Sequence, residues 1–239
     1  MEEQQKIISK PLRDKFLGGA GKAKLFDLLS LLLVMVVILS AFYFHYQLPE
    51  YIINHWNAFG QADGYGKRDN FLIFISLFMV GFYLLFKYIP KIDPKKKNYV
   101  EFANVYNIFK LALFVFFTAM FFITIFVNMR LDYLLPVNRI VAWLSGLFFI
   151  VIGVLMKHIK QNWFMGIRTP WTLSNEIVWD KTHAFGGKVF VIAGMLLIIF
   201  SYLPARYFFY YMFVFAVLIL LSTFGYSYWQ YKKIGDKHI

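Results

Sequence analysis

Six long apolar runs dominate this sequence and restrict the folds that it can adopt. They cover residues 25–44, 71–89, 108–127, 140–156, 189–203 and 207–229. The hydrocarbon core of a bilayer is about 30 Å thick, and a helix of about 20 apolar residues crosses it. Because 60% of the whole chain is hydrophobic, little remains to build a water-soluble domain. The runs therefore predict an all-α integral membrane protein with six transmembrane helices.

Two local features refine this prediction. The fifth run is short for a span, so we expect residues 185–188 to begin its helix, with Lys188 reaching the headgroups. In the fourth run, small residues recur about two turns apart and are typical of contacts between packed helices. These are Ser145, Gly146 and Gly153.

The basic residues of the chain are distributed unevenly. Of the 25 Lys and Arg, 20 lie in the N-terminal tail, the second loop, the fourth loop and the C-terminal tail. Lys and Arg concentrate in the cytoplasmic loops of membrane proteins. We therefore expect both termini in the cytoplasm. The net charge of +12 is then explained by topology and attraction to membrane lipids, without direct binding to nucleic acid.

Ionisable residues are almost absent from the runs themselves. Asp27 and Lys87 lie near run ends, and Lys110 lies at the start of the third run. Ion-coupled pumps keep acids, His or Arg within the membrane because those residues carry the transport. Their scarcity argues against an ion-coupled transporter. The absence of cysteine also excludes disulfides, thiolate catalysis and iron–sulfur ligation.

The runs and loops predict four regions. They are a basic cytoplasmic tail (1–24), a first helical hairpin (25–89) with an external loop (45–70), a basic cytoplasmic linker (90–110), and a four-helix region (111–239) with a cytoplasmic loop at 157–188. We refer to 45–70 as loop one and to 157–188 as loop four.

Loop four contains the unusually polar and aromatic stretch "NWFMGIRTPWTLSNEIVWDKTHAFGGK". Pro170 interrupts the backbone, Ser174 is positioned to cap a helix, and Glu176 falls in its first turn. Gly186 and Gly187 are expected to end that helix. At 100° per residue, one face carries the polar side chains and Trp, while Ile177, Val178, Ala184 and Phe185 cover the other. The pattern predicts an amphipathic interfacial helix with Trp163, Trp171 and Trp179 as headgroup anchors.

Three interpretations of the polar face of this helix remain open. Glu176, Asp180 and His183 have the spacing of a metal or acid–base site. The same face is also compatible with plain solvation. A third interpretation pairs the two carboxylates with Arg168, Lys181 or Lys188 in a network that fixes the fold.

Loop one, "HYQLPEYIINHWNAFGQADGYGKRDN", is longer than a simple connection. His45, His55 and Asp63 have side chains suited to a metal or an external partner, and Trp56, Phe59 and Tyr65 are typical interface anchors. The alternative is a compact, turn-rich plug over the helices. Taken over both loops, the candidate partner-binding residues are His55, Trp56, Asn57, Asp63, Arg168, Trp171, Glu176, Trp179, Asp180 and His183.

Both loops resemble those of a known family. "GIRTPWTLSNEIVWDKTHAFGGK" resembles the signature of the SdpI family of bacterial membrane proteins, and "LPEYIINHWNAFGQADGYGKRDN" resembles the N-terminal domain that commonly accompanies it. The resemblance implies a bacterial multi-pass membrane protein. It further implies immunity against a secreted, membrane-active peptide of the sporulation-delaying type, and signalling by capture of a transcriptional repressor at the membrane.

The leading hypothesis is therefore a non-enzymatic membrane protein without a cofactor. Its expected partners are membrane lipids, a peptide toxin on the external side and a transcriptional repressor on the cytoplasmic side. The alternatives are a membrane-embedded metal-dependent or lipid-modifying enzyme that uses Glu176, Asp180 and His183, and a peptide exporter.

Overall fold

The structure is a computed structural model that describes residues 20–57, 59–129, 137–204 and 207–235. Most of the predicted tail 1–24, the connection at 130–136, Arg206 and the last four residues lie outside these ranges. The elements in chain order are α1 (Ala20–His45), β1 (Tyr51–Trp56), β2 (Ala62–Lys67), α2 (Arg68–Ile92), α3 (Asn98–Glu101), α4 (Ala103–Asn128), α5 (Val137–Met156), α6 (Pro170–Ser174), α7 (Glu176–Phe200) and α8 (Phe208–Gly235).

Six helices in the described ranges are long and apolar enough to cross a membrane. They are α1, α2, α4, α5, α7 and α8, and each covers all or most of one of the six apolar runs. The predicted fold class is thus confirmed: the chain is a mostly helical multi-pass membrane protein. We call the end of the bundle beside β1 and β2 the hairpin end, and the opposite end the loop-four end.

Helices α1, α2 and α4 pack around one apolar core. Val37, Met79, Phe114 and Ile125 are completely buried in it. Within this group of helices, the Nζ of Lys110 on α4 contacts the carboxylate of Asp27 on α1. The side chain of Lys110 is only 2% exposed, whereas that of Asp27 is 40% exposed, so the ion pair joins α1 to α4 with only its lysine buried.

Helices α5 and α7 pack closely against each other through facing glycines. A Cβ on Gly153 would lie 2.6 Å from the Gly187 carbonyl oxygen, and a Cβ on Gly146 would lie 2.6 Å from that of Gly194. Any larger residue would push the two backbones apart. The predicted packing role of Gly146 and Gly153 is confirmed.

The same contact explains an error in the expected helix boundaries. Gly186 and Gly187 do not end an interfacial helix, because α7 continues without a break from Glu176 to Phe200. Both glycines are buried and face α5 and loop four, where close backbone approach requires small residues. The predicted interfacial helix is the first part of a membrane-length helix, and Asn175, not Ser174, caps it.

Loop one forms an antiparallel hairpin, which the turn-rich pattern alone did not predict. Tyr51 pairs with Lys67 and Ile53 with Tyr65, with an irregularity between Ile53 and His55. Ile52 is almost completely buried in the core of α1, α2 and α4. The hairpin therefore rests on the bundle, which agrees with the expectation of a plug.

Candidate functional site

Loop four is folded around buried polar side chains, and the first of these is Asp93. Its Oδ2 accepts hydrogen bonds from the Tyr99 hydroxyl (3.0 Å) and the Trp163 backbone N–H (2.9 Å). Its Oδ1 accepts one from the Lys95 N–H (2.7 Å). Burial and the neighbouring carboxylate raise the pKa of Tyr99, so its hydroxyl stays protonated as a donor. Asp93 thus joins the segment after α2 to the start of loop four.

Asn162 organises the turn that follows. Its Oδ1 accepts from the backbone N–H groups of Phe164 (2.9 Å) and Met165 (2.7 Å), and its Nδ2 donates to the carbonyl oxygens of Lys160 and Met165. Asn162 is completely buried. A buried amide is tolerated only when its groups are paired, and these bonds fix one conformation of the turn.

Gln161, near the start of loop four, bonds both α6 and the linker 90–110, which we call the second loop. Its Nε2 donates to the carbonyl oxygens of Thr172 (2.6 Å) and Leu173 (2.9 Å), and its Oε1 accepts from the Lys95 Nζ. The amide of Asn98 donates to the Gln161 carbonyl oxygen at 2.7 Å. The two loops therefore form one folded unit.

Thr169 begins α6 and also ties it to α8. Its Oγ1 accepts from the Thr172 N–H (3.2 Å), and the Thr172 hydroxyl accepts from the Thr169 N–H, which completes a capping box with Pro170 at the first turn. The Thr169 hydroxyl also bonds that of Ser227 at 3.1 Å. The ring of Trp171, a predicted headgroup anchor, packs on Phe224 and Tyr228 of α8.

Trp179 and His183 are completely buried, which contradicts the interpretation of this helix face as solvated. The Trp179 Nε1–H donates to the Ile159 carbonyl oxygen at 2.8 Å. The His183 Nδ1 bonds the Trp179 carbonyl oxygen (2.8 Å), and its Nε2 accepts from the Ile167 N–H (3.0 Å). The prediction failed because it assumed a free helix, whereas loop four folds over this face.

This arrangement removes the basis of the proposed metal site. Both ring nitrogens of His183 are hydrogen-bonded to the backbone, while Glu176 is exposed and lies 3.6 Å from the Lys95 Nζ. In the described ranges, no three His, Asp or Glu side chains are placed to hold a metal ion. The three side chains of the predicted site are thus not brought together.

The predicted charge network also has other partners. Glu176 pairs with Lys95 of the second loop, and Lys160 lies 3.9 Å from Glu101. The Nη1 of Arg168 donates to the Trp163 carbonyl oxygen at 2.8 Å. Ion pairs therefore do connect loop four to neighbouring segments. Among the described contacts, however, Arg168, Lys181 and Lys188 do not pair with Glu176 or Asp180.

At the hairpin end, two of the predicted residues form an exposed pair. The His55 Nδ1 lies 2.6 Å from the Asp63 Oδ1, and the His55 side chain is 69% exposed. Asn57 instead shapes the turn, because its Oδ1 accepts from the N–H groups of Phe59 and Gln61. Trp56 is half-buried. His45 is not part of this pair and contacts Asp69 at 2.9 Å.

An apolar groove of 500 Å³ runs between α1 and α2 below the hairpin. Its walls include Ile38, Phe42, Ile73 and Leu77, and the His45–Asp69 pair closes one end. The sequence did not reveal this groove, because its residues are ordinary apolar positions in two spans that become neighbours only in the fold. The sequence also did not reveal the role of Asp93, because a single acidic residue in a basic linker forms no motif.

Comparison with known proteins supports the resemblance found in the sequence. Residues 158–227 match the SdpI/YfhL protein family. The chain is 28% identical over 209 residues to the immunity protein SdpI of Bacillus subtilis (strain 168), and the aligned region covers 87% of this chain and 97% of that protein. No solved structure matches the chain.

Proposed function

We propose that this multi-pass bacterial membrane protein, whose segment 158–227 matches the SdpI/YfhL family, is a non-enzymatic immunity protein that protects its cell against a membrane-active peptide by binding it. The observation that carries the proposal is similarity to an immunity protein along nearly that protein's whole length. Family membership alone transfers fold better than function, so the contact sites need support from the geometry.

The hairpin end supplies the surface that best suits such a peptide. The groove between α1 and α2 has apolar walls, and an amphipathic peptide buries its apolar face in grooves of this kind. The exposed side chains of Tyr51, Phe59 and Tyr65 lie on the adjacent hairpin. Aromatic side chains contribute strongly to binding because they bury a large area at a small entropic cost. We assign peptide binding to this groove and hairpin.

A survival assay tests the proposal. Toxin-sensitive cells that express the chain should survive the sporulation-delaying peptide better than cells with an empty vector. Replacing His55 and Trp56 by Ala should abolish protection at equal abundance in the membrane, whereas Tyr46→Ala should not, because Tyr46 is exposed at the same end but lies outside the strands. Full protection by the His55 and Trp56 variant would remove loop one from the mechanism.

A signalling role, in which loop four captures a transcriptional repressor once the hairpin end is occupied, is the second candidate. It is favoured by helix α4, which contacts both ends of the molecule. Asn128 at one end of α4 bonds the hairpin, and Tyr106 near the other packs in the core beneath loop four. A signal between two sites requires an element whose state both sites influence.

Hydrogen exchange on the reconstituted protein tests this coupling and does not require the repressor. Addition of the sporulation-delaying peptide should change the exchange rates of residues 160–175 as well as those of the hairpin. A change confined to the hairpin would contradict the signalling role and leave the immunity role intact.

A further inference from the structure

We propose that a second cavity, at the loop-four end, binds one acyl chain of an anionic phospholipid, with the lipid phosphate held by Arg168. This binding site is separate from the groove assigned to the peptide, and its occupant does not depend on the proposed immunity function.

The cavity has a volume of 320 Å³ and lies where α2, α4, α5, α7 and loop four meet. Phe86, Phe109, Ile152 and Phe190 supply walls from four different helices. Ligand pockets in proteins range from about 300 to 1,000 Å³. The cavity lies at the small end of this range, so it fits part of one acyl chain and is too small for a folded peptide element.

Loop four holds the mouth of the cavity in one shape. The bonds of Asn162 to Phe164 and Met165 fix the turn that lines it. Gly166 then has a φ of +105°, and a Cβ there would lie 2.3 Å from the His183 Nε2. Only glycine can pass this close to the ring. Because the rim is fixed by these contacts, a ligand that enters loses little free energy to ordering the protein.

Arg168 is the one charged residue among the described lining residues. It therefore gives the cavity a preference for an anionic ligand. In the described part of the chain, no carboxylate lies within 4 Å of its guanidinium group. One N–H is used for the Trp163 carbonyl oxygen. Guanidinium binds phosphate through two parallel hydrogen bonds. An apolar cavity with an arginine at its rim fits an amphiphile with an anionic head.

The surroundings favour a lipid of the adjoining leaflet as the source of that amphiphile. Trp163 is 49% exposed and Phe164 is 40% exposed beside the rim, and aromatic side chains of this kind lie at headgroup level. Exposed Lys87 and Lys157 directly follow the lining residues Phe86 and Met156. Basic residues near a membrane surface attract anionic lipid.

Lipid retention by the purified full chain tests the proposal. The protein is reconstituted in vesicles of equal parts phosphatidylglycerol and phosphatidylcholine, extracted in mild detergent, and its bound lipid is counted by native mass spectrometry. We expect one phosphatidylglycerol per chain, retained in preference to phosphatidylcholine. Equal retention of the two lipids by the wild type would overturn the proposal without any variant.

Variants separate the head and chain contacts. Arg168→Gln should reduce phosphatidylglycerol retention about tenfold, the effect of losing a charged hydrogen bond, and Ile152→Trp should reduce it by filling the cavity. Lys181→Gln, which removes an exposed charge at the same end, should retain the lipid. Retention at the wild-type level by both Arg168→Gln and Ile152→Trp would show that the lipid binds elsewhere. Displacement of the lipid by millimolar inorganic phosphate would contradict an acyl-chain site.

Discussion

Asn128, at one end of α4, holds Ile53 of the hairpin by both of its backbone polar groups. Its Oδ1 accepts from the Ile53 N–H at 2.7 Å, and its Nδ2 donates to the Ile53 carbonyl oxygen at 2.8 Å. The Asn128 amide thus bonds the free edge of β1 at Ile53, as a neighbouring strand would, next to the irregularity between Ile53 and His55. Through this contact the hairpin is attached to a membrane-length helix.

Asn128→Leu should loosen the hairpin without unfolding the bundle. The substitution leaves the Ile53 N–H and carbonyl without their partner, at a cost of about 1–3 kcal/mol. Amide exchange in residues 51–56 should accelerate about tenfold or more. Asn107→Leu is the matched control, since Asn107 bonds only a carbonyl of its own helix in the described contacts. Unchanged exchange in the Asn128 variant would show that the hairpin is held by other contacts.

Gly153→Ala should destabilise the bundle more than a glycine substitution elsewhere in the spans. The added Cβ would lie 2.6 Å from the Gly187 carbonyl oxygen, and overpacking of this kind costs about 1–3 kcal/mol. Gly81→Ala is the control, because a Cβ there meets none of the described atoms within 4 Å. Thermal unfolding in detergent should give a lower Tm for Gly153→Ala alone. Equal Tm values would contradict the close packing of α5 and α7.

Asp27→Asn should destabilise the protein by stranding the buried charge of Lys110. Loss of one partner of a fully buried ion pair costs about 3–5 kcal/mol, and we expect a smaller loss here because the Asp27 side chain is 40% exposed. Combining it with Lys110→Met should recover part of the lost stability, since the unpaired charge is then removed. The test is a double-mutant cycle of unfolding free energies in detergent. Additive losses from the two substitutions would mean that the pair does not interact.

His183→Ala and Glu176→Ala should have different effects. The first leaves the buried Ile167 N–H without its partner, the His183 Nε2, and should lower stability by about 1–3 kcal/mol. The second removes an exposed carboxylate paired with Lys95 and should change stability by less than about 1 kcal/mol. Metal content, measured alongside stability, should be the same in wild type and variants. A metal lost from both variants together would restore the metal-site hypothesis.

The parts of the fold that could be predicted are those determined by local sequence. Run length and composition are sufficient to place six spans, because a membrane helix must satisfy its backbone polar groups internally. The contact glycines of α5 could also be recognised from local sequence, because small residues at helical spacing in a span are typical of helix packing.

The errors come from contacts between segments distant in the chain. Trp179 and His183 lie on the polar side of an isolated helix, but residues 159–167 fold over them and pair their nitrogens. Gly187 is a helix terminator in water, yet here it permits contact with Gly153 inside the bundle. The groove and the cavity likewise exist only where separate helices meet. No periodicity in a single segment encodes these relationships.

Direct binding of the sporulation-delaying peptide tests the central claim of immunity by capture. The full chain, reconstituted in lipid nanodiscs, is titrated with labelled peptide beside two variants, Leu77→Trp in the groove and Leu220→Trp on α8, both at exposed leucines. If the groove binds the peptide, binding to the wild type and to Leu220→Trp should be saturable and should be lost in Leu77→Trp. Binding no stronger than to empty nanodiscs, or equal in all three proteins, would contradict it.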